Sequence, residues 1–270
     1  MTKLELLKAY RTIYSKVLAD SKTADTKQHG KLSNKMHNDI LSIFNDKFIA
    51  SNASFHQLMM NHYCYLVSML ETRHRLRPYS DIEFSRRVGE VWEKFCKVSL
   101  DNPDSKISKS NPIEISEFYK RLSIDMNDNS TFEFVKDLLG DIDLTLDYFG
   151  NTQRNEFIGI DFKSGFGSNE KGNTQRILQV GKIYHQIAPE VKLKLVIRQD
   201  DNNNYLSKIE KSGVWDVVKG KDAYSYLTLI SGCDILSFVE NEVDFEQDIS
   251  DAVYKDLNSK IQNRDRYLHW

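Results

Sequence analysis

Past a polar gap that ends near residue 141, the apolar residues of this chain change from a period of 3.6 to a period of 2. Asp141 to Tyr148 reads D-I-D-L-T-L-D-Y, which puts Ile142, Leu144, Leu146 and Tyr148 on one side and Asp141, Asp143, Thr145 and Asp147 on the other. The turn-forming stretch FGNTQRNE follows. Phe157 to Lys163 then reads F-I-G-I-D-F-K, with Ile158, Ile160 and Phe162 opposed to Gly159, Asp161 and Lys163. Both segments predict half-buried strands, so two neighbouring strands present aspartates and a lysine together.

The flanking sequence has helical period. Leu4, Leu7, Tyr10, Tyr14, Val17 and Leu18 recur at three to four residues, as do Ile40, Ile43, Phe44 and Phe48. A helix is expected from about Ile82 to Val98, where Phe84, Val88, Val91, Trp92 and Phe95 make one apolar stripe, and a short one around Ile115 to Leu122. Between these two, LDNPDSKISKSNP reads as a turn-rich linker. After the second strand, TQRILQVGKIYHQI predicts a helix stopped at Pro189, and VKLKLVIRQ a further strand. This order predicts an α/β fold with a central mixed β-sheet flanked by helices. Residues 1–80 form an N-terminal helical arm or subdomain in this reading, and residues 81–270 the core with C-terminal helices.

Charge narrows the function classes. Lys and Arg sum to 37 against 39 Asp and Glu, so bulk positive charge does not hold a nucleic acid to this chain, and any such contact comes from a local patch. The apolar runs are short and MTKLELLKAYR has no apolar core behind its lysine, which predicts a cytoplasmic protein with no membrane partner. Cys64, Cys96 and Cys233 lie far apart without CxxC spacing and predict buried, reduced thiols.

Paired aspartates with a lysine two residues after the second suit Mg²⁺, a hard cation that takes carboxylate oxygens and keeps several waters. Such a site polarises a phosphodiester, while the ammonium orients water or offsets charge at phosphorus. The residues Gly140-Asp141-Ile142-Asp143 and Ile160-Asp161-Phe162-Lys163 resemble the PD-(D/E)XK nucleases and, within them, type II restriction endonucleases. The loop SGFGSNEKGNTQR and the stretch GVWDVVKGKDAYSYLTLISGCDILSFV add to the likeness, which covers roughly Glu83 to Val239. The resemblance implies a restriction-endonuclease-like core that cuts double-stranded DNA at specific sequences with Mg²⁺, leaving 5′-phosphates. It implies Asp143 and Asp161 as metal ligands and Lys163 as the catalytic cation. Asp141 competes with Asp143 for the first role. A third acid falls on the GEVWEKF helix, at Glu90 in preference to Glu93. A homodimer and a cognate DNA methyltransferase complete the expected system.

Ser168, Asn169, Lys171, Asn173, Thr174, Gln175 and Arg176 follow the lysine and offer amides and cations for base edges and phosphates, so they are the candidate DNA contacts. Arg73, His74, Arg75 and Arg77 make a basic run that either grips DNA or is simply solvated. His62, His74 and His185 lack an HExxH pattern, and no GxxxxGK[ST] or GxGxxG occurs. Two other readings share these residues: a structure-specific repair or recombination nuclease, and a DNA-binding protein without catalysis.

Overall fold

The computed structural model describes residues 1–21, 53–111, 145–166, 171–262 and 264–270, with positions 40, 42 and 137. The chain forms two compact units, one from Met1–Asp104 with Cys233–Trp270 and the other from Ser105–Gly232. The first unit is helical. It contains α1 (Lys3–Ser21), α2 (Phe55–Leu76) and α3 (Asp81–Leu100), then α7 (Ile235–Glu242), α8 (Phe245–Asp248), α9 (Asp251–Lys260) and α10 (Arg264–Leu268).

Helix starts follow local chemistry. Ser54 and Ser80 cap α2 and α3, each accepting from the backbone of the residue three further on, while Gln57 and Glu83 return the bond in a capping box. The stripe Phe84, Val88, Val91, Trp92 and Phe95 is wholly buried, as its spacing predicts. In α1 the buried face is Leu6, Leu7, Tyr10 and Tyr14, whereas Leu4 is 74% exposed, one position off the expected stripe. Aromatic contacts explain why α3 and the C-terminal helices belong with the N-terminal ones and why no boundary falls at residue 80. Phe95 meets Phe238 at 5.8 Å and Trp270 at 5.0 Å, and Phe245 meets Trp270 at 4.8 Å and Tyr63 at 5.3 Å.

Buried charge in this unit is paired. Glu71 accepts from Arg11 Nε at 2.9 Å and Nη2 at 2.8 Å, and Asp248 accepts from Lys3 and from Tyr63. The basic run is largely spent on such contacts: buried His74 meets Asp256 at 2.7 Å, Arg75 reaches Ser250, and Arg77 pairs with Glu83. His62 is buried, and its Nε2 has no partner among the described residues. Burial pushes its imidazole down to about 3.

The second unit is a mixed sheet with helices: β1 (Ile107–Lys109), β2 (Tyr148–Thr152), β3 (Phe157–Lys163), α4 (Lys171–Ile187), β4 (Lys192–Ile197), α5 (Asn204–Ser212), β5 (Asp216–Lys219) and α6 (Lys221–Ser231). Strand order is β1-β2-β3-β4-β5. The pairs β1/β2 and β2/β3 are antiparallel, and β3/β4 and β4/β5 are parallel. The fold is therefore α/β with a five-stranded mixed sheet.

Two segments depart from expectation. The first hairpin strand begins at Tyr148, where the expected one ends, and the chain turns at residues 153–155, with Asn155 in the left-handed region at φ 59°. Phe149 pairing with Gly159 and Gly150 with Ile158 explains the extension. The supposed linker supplies β1, whose Ile107 is buried and pairs with Thr152. The segments around Ile43–Phe48 and Ile115–Leu122 lie outside the described residues.

Leu193, Leu195 and Ile197 on one sheet face form a core with Phe149 and with Ile177, Val180 and Tyr184 of α4. Gly181 lets α4 approach closely, because a Cβ there would lie 2.3 Å from Trp215 Nε1. That indole donates to the Ile177 carbonyl at 2.8 Å.

Candidate active site

The register of β2 and β3 builds the site. Tyr148 stands opposite Ile160, so Asp147, one residue before the strand, falls opposite Asp161. Period 2 places Asp161 and Lys163 on one face of β3, as the sequence predicts, and the register with β4 makes it the face that α4 covers. Asp147 Oδ2 accepts from the Phe162 N–H at 2.7 Å and lies 3.9 Å from Lys163 Nζ. Lys163 Nζ donates to Asp161 Oδ1 and, at 3.0 Å, to the Phe162 carbonyl. From the first turns of α4, Arg176 Nη2 donates to Asp161 Oδ2 at 2.8 Å.

Two carboxylates and two cations thus meet on one sheet face. The side chain of Asp161 is 1% exposed, that of Lys163 17% and that of Arg176 30%. Burial pushes the Asp161 carboxyl above the ordinary aspartate range. The Lys163 ammonium opposes this, the Asp147 carboxylate adds to it, and Arg176 opposes it again.

Asp147, which the sequence reading did not single out as a ligand, thus stands opposite Asp161. Asp141 and Asp143 lie outside the described residues, as do Ser168 and Asn169. Asp147 shares their parity in the alternating stretch, but no local signal marks where pairing begins. Among the other expected DNA contacts, Lys171 and Gln175 are exposed, Asn173 is half-buried, and Thr174 is buried with its Oγ1 lacking a partner among the described residues. Arg176 faces Asp161. Glu90 pairs within α3 with Arg87 at 2.6 Å, and Glu93 with Lys97 at 2.5 Å.

The sequence reading also missed the contacts that fix the chain beyond β3. Buried Arg198 donates through Nε to Ser164 Oγ at 3.0 Å. Asn203 caps α5 by accepting from the Tyr205 and Leu206 N–H groups and donates through Nδ2 to the Phe166 carbonyl at 2.8 Å. An asparagine before a helix is a readable cap, whereas nothing local announces Arg198.

The oxygens at this site are hard donors: two carboxylates and the Phe162 carbonyl that shares Lys163 with Asp161. Such a set suits Mg²⁺, which uses one or two carboxylates and keeps its waters, better than a metal that seeks thiolate or imidazole. Among the described residues no group of three His, Cys, Asp or Glu side chains converges to hold a metal, and no helix is long and apolar enough to cross a membrane. No known family, curated protein or solved structure matches the chain.

Proposed function

We propose that the sheet unit is the catalytic part of a Mg²⁺-dependent endonuclease that hydrolyses phosphodiester bonds in double-stranded DNA, with a restriction-endonuclease-like core and type II site-specific activity. The observation that carries the reading is the meeting of Asp161 and Lys163 of β3 with Asp147, the residue just before β2, at one face of a mixed sheet. Asp147 and Asp161 would hold the cation. When bound, Mg²⁺ offsets charge growing on the phosphoryl oxygens and makes a nearby water more acidic.

The chain's own residues do the rest. Lys163, fixed by Asp161 and the Phe162 carbonyl, orients the attacking water and faces the negative charge that develops at phosphorus. The water oxygen bonds to phosphorus and gives up a proton, the bond from phosphorus to the 3′ oxygen breaks, and that oxygen takes a proton. The products are a 5′-phosphate and a 3′-hydroxyl. The exposed Lys171 and Gln175 contact the duplex beside the scissile phosphate. A twofold homodimer reading a palindromic target, protected in the host by a DNA methyltransferase, accords with this activity.

The test is incubation of long duplex DNA with the purified protein in Mg²⁺ and in EDTA, beside Asp147→Asn and Asp161→Ala. Discrete bands that need Mg²⁺ and vanish in both variants are expected. Cutting only of junctions or flaps would replace the restriction reading with structure-selective cleavage. Binding without any nicking would end the catalytic reading.

A further inference from the structure

Asp161 is bonded through both oxygens, Oδ1 to Lys163 and Oδ2 to Arg176, and its side chain is almost wholly buried. Among the described residues, Asp147 brings this group to two charges of each sign. A divalent cation entering this group adds two positive charges beside two already present, so one resident cation must withdraw. Lys163 belongs to the strand itself and its side chain is the less exposed of the two cations, at 17%. Arg176 reaches Asp161 from α4, and its side chain is 30% exposed.

Resting on the nuclease reading, we propose that Arg176 is an exchangeable counter-ion: it competes with the divalent cation for Asp161 and, once displaced, grips the phosphodiester of the substrate. The planar fork of a guanidinium matches the two non-bridging oxygens of a phosphodiester as it matches a carboxylate. The same side chain thus keeps the buried carboxylate compensated before loading and joins the substrate afterwards. Loading of cation and of DNA are coupled through one residue.

Two measurements on the full chain test this. Calorimetric titration with Mn²⁺ compares wild type, Arg176→Met, Arg176→Lys and Asp161→Asn. Binding of a fluorescein-labelled duplex in Ca²⁺ is followed across a salt series. Arg176→Met is expected to bind Mn²⁺ about tenfold more tightly, the worth of one charge-assisted hydrogen bond removed from competition. It is expected to bind the duplex about tenfold more weakly, with a salt slope shallower by about one. Arg176→Lys retains the charge without the fork, so its Mn²⁺ affinity stays close to wild type while its duplex affinity falls.

A merely structural arginine would not raise metal affinity when removed. Equal Mn²⁺ affinity in wild type and Arg176→Met, with binding lost in Asp161→Asn, overturns the exchange and leaves the nuclease reading standing. An unchanged duplex salt slope in Arg176→Met also overturns it. Absence of Mn²⁺ binding in every form overturns both.

Discussion

Replacing Lys163 by Met keeps an unbranched side chain of similar length and removes the ammonium that bonds Asp161 and the Phe162 carbonyl. At the 3.9 Å separating Lys163 Nζ from Asp147 Oδ2, two unit charges in an effective dielectric of about 20 attract by about 4 kcal/mol, before desolvation is subtracted. Removing one partner of a buried pair costs about 3–5 kcal/mol. Arg176 still bonds the second oxygen of Asp161, and Lys163 keeps some contact with water, so a loss of about 2–4 kcal/mol is expected for Lys163→Met at pH 8.

The loss depends on pH in a definite direction. Burial already raises the folded Asp161 carboxyl, and removing Lys163 takes away the largest opposing influence. Below the ordinary aspartate range both folded and unfolded chains carry the proton, and no penalty for burying the charge arises. As pH rises through the raised folded value the penalty grows to its full size. Urea unfolding followed by circular dichroism between pH 4 and 8 reads this difference directly, and Mg²⁺ should restore part of the loss by supplying the missing positive charge. A deficit below about 1 kcal/mol at pH 8, or one that does not change with pH, would refute the argument that Lys163 compensates a buried carboxylate.

Other expectations follow from single contacts. Gly181→Ala gains about 1 kcal/mol of helix propensity but drives a methyl into Trp215, so a net loss of about 1–2 kcal/mol should appear in chemical unfolding, relieved by Trp215→Phe. Trp270→Ala removes ring contacts to Phe95 and Phe245 and should destabilise the helical unit by about 2–4 kcal/mol in the same assay. His62 stays neutral when folded down to about pH 3 yet takes a proton in the unfolded chain below about 6.5. Its contribution to stability therefore falls as pH drops through that window, by about 1.4 kcal/mol per unit, and proton uptake on unfolding at pH 5 should decrease by about one in His62→Gln.

The contrast between Asp161 and Asp147 shows what could be read from the sequence. Alternation fixes parity, so the side of the strand on which Asp161 and Lys163 stand, and the common side of Asp141, Asp143 and Asp147, were legible from residue order alone. Pairing depends on contacts with another segment, and Gly150 and Asn151, which read as turn residues, pair with Ile158 and Phe157. The hairpin therefore lies further along the chain than its hydrophobic pattern suggests, and the acid at its mouth is Asp147. Strand β1 escaped for the same reason: three residues in a polar stretch carry no periodicity, and Ile107 is in strand because Thr152 is beside it. The α3 stripe was readable because its period repeats within a few residues, and the capping boxes, equally local, went unread. Arg198 meets Ser164 across 34 positions, beyond the reach of any local pattern.

The helical unit is interrupted, its two parts separated by the whole sheet unit. Within that insert the Lys106 N–H donates to the Ser231 carbonyl at 2.7 Å, so its two ends lie side by side. Bringing the ends of about 130 flexible residues together costs about 4 kcal/mol of chain entropy, and a folded insert has already met that cost. Once residues 105–232 are in place, the C-terminal helices therefore search for α2 and α3 as though joined to Asp104 by a short tether. The sheet acts as an internal splint for its host, and slow folding of the insert would delay the burial of Phe238, Phe245 and Trp270 in the unit that surrounds it in sequence.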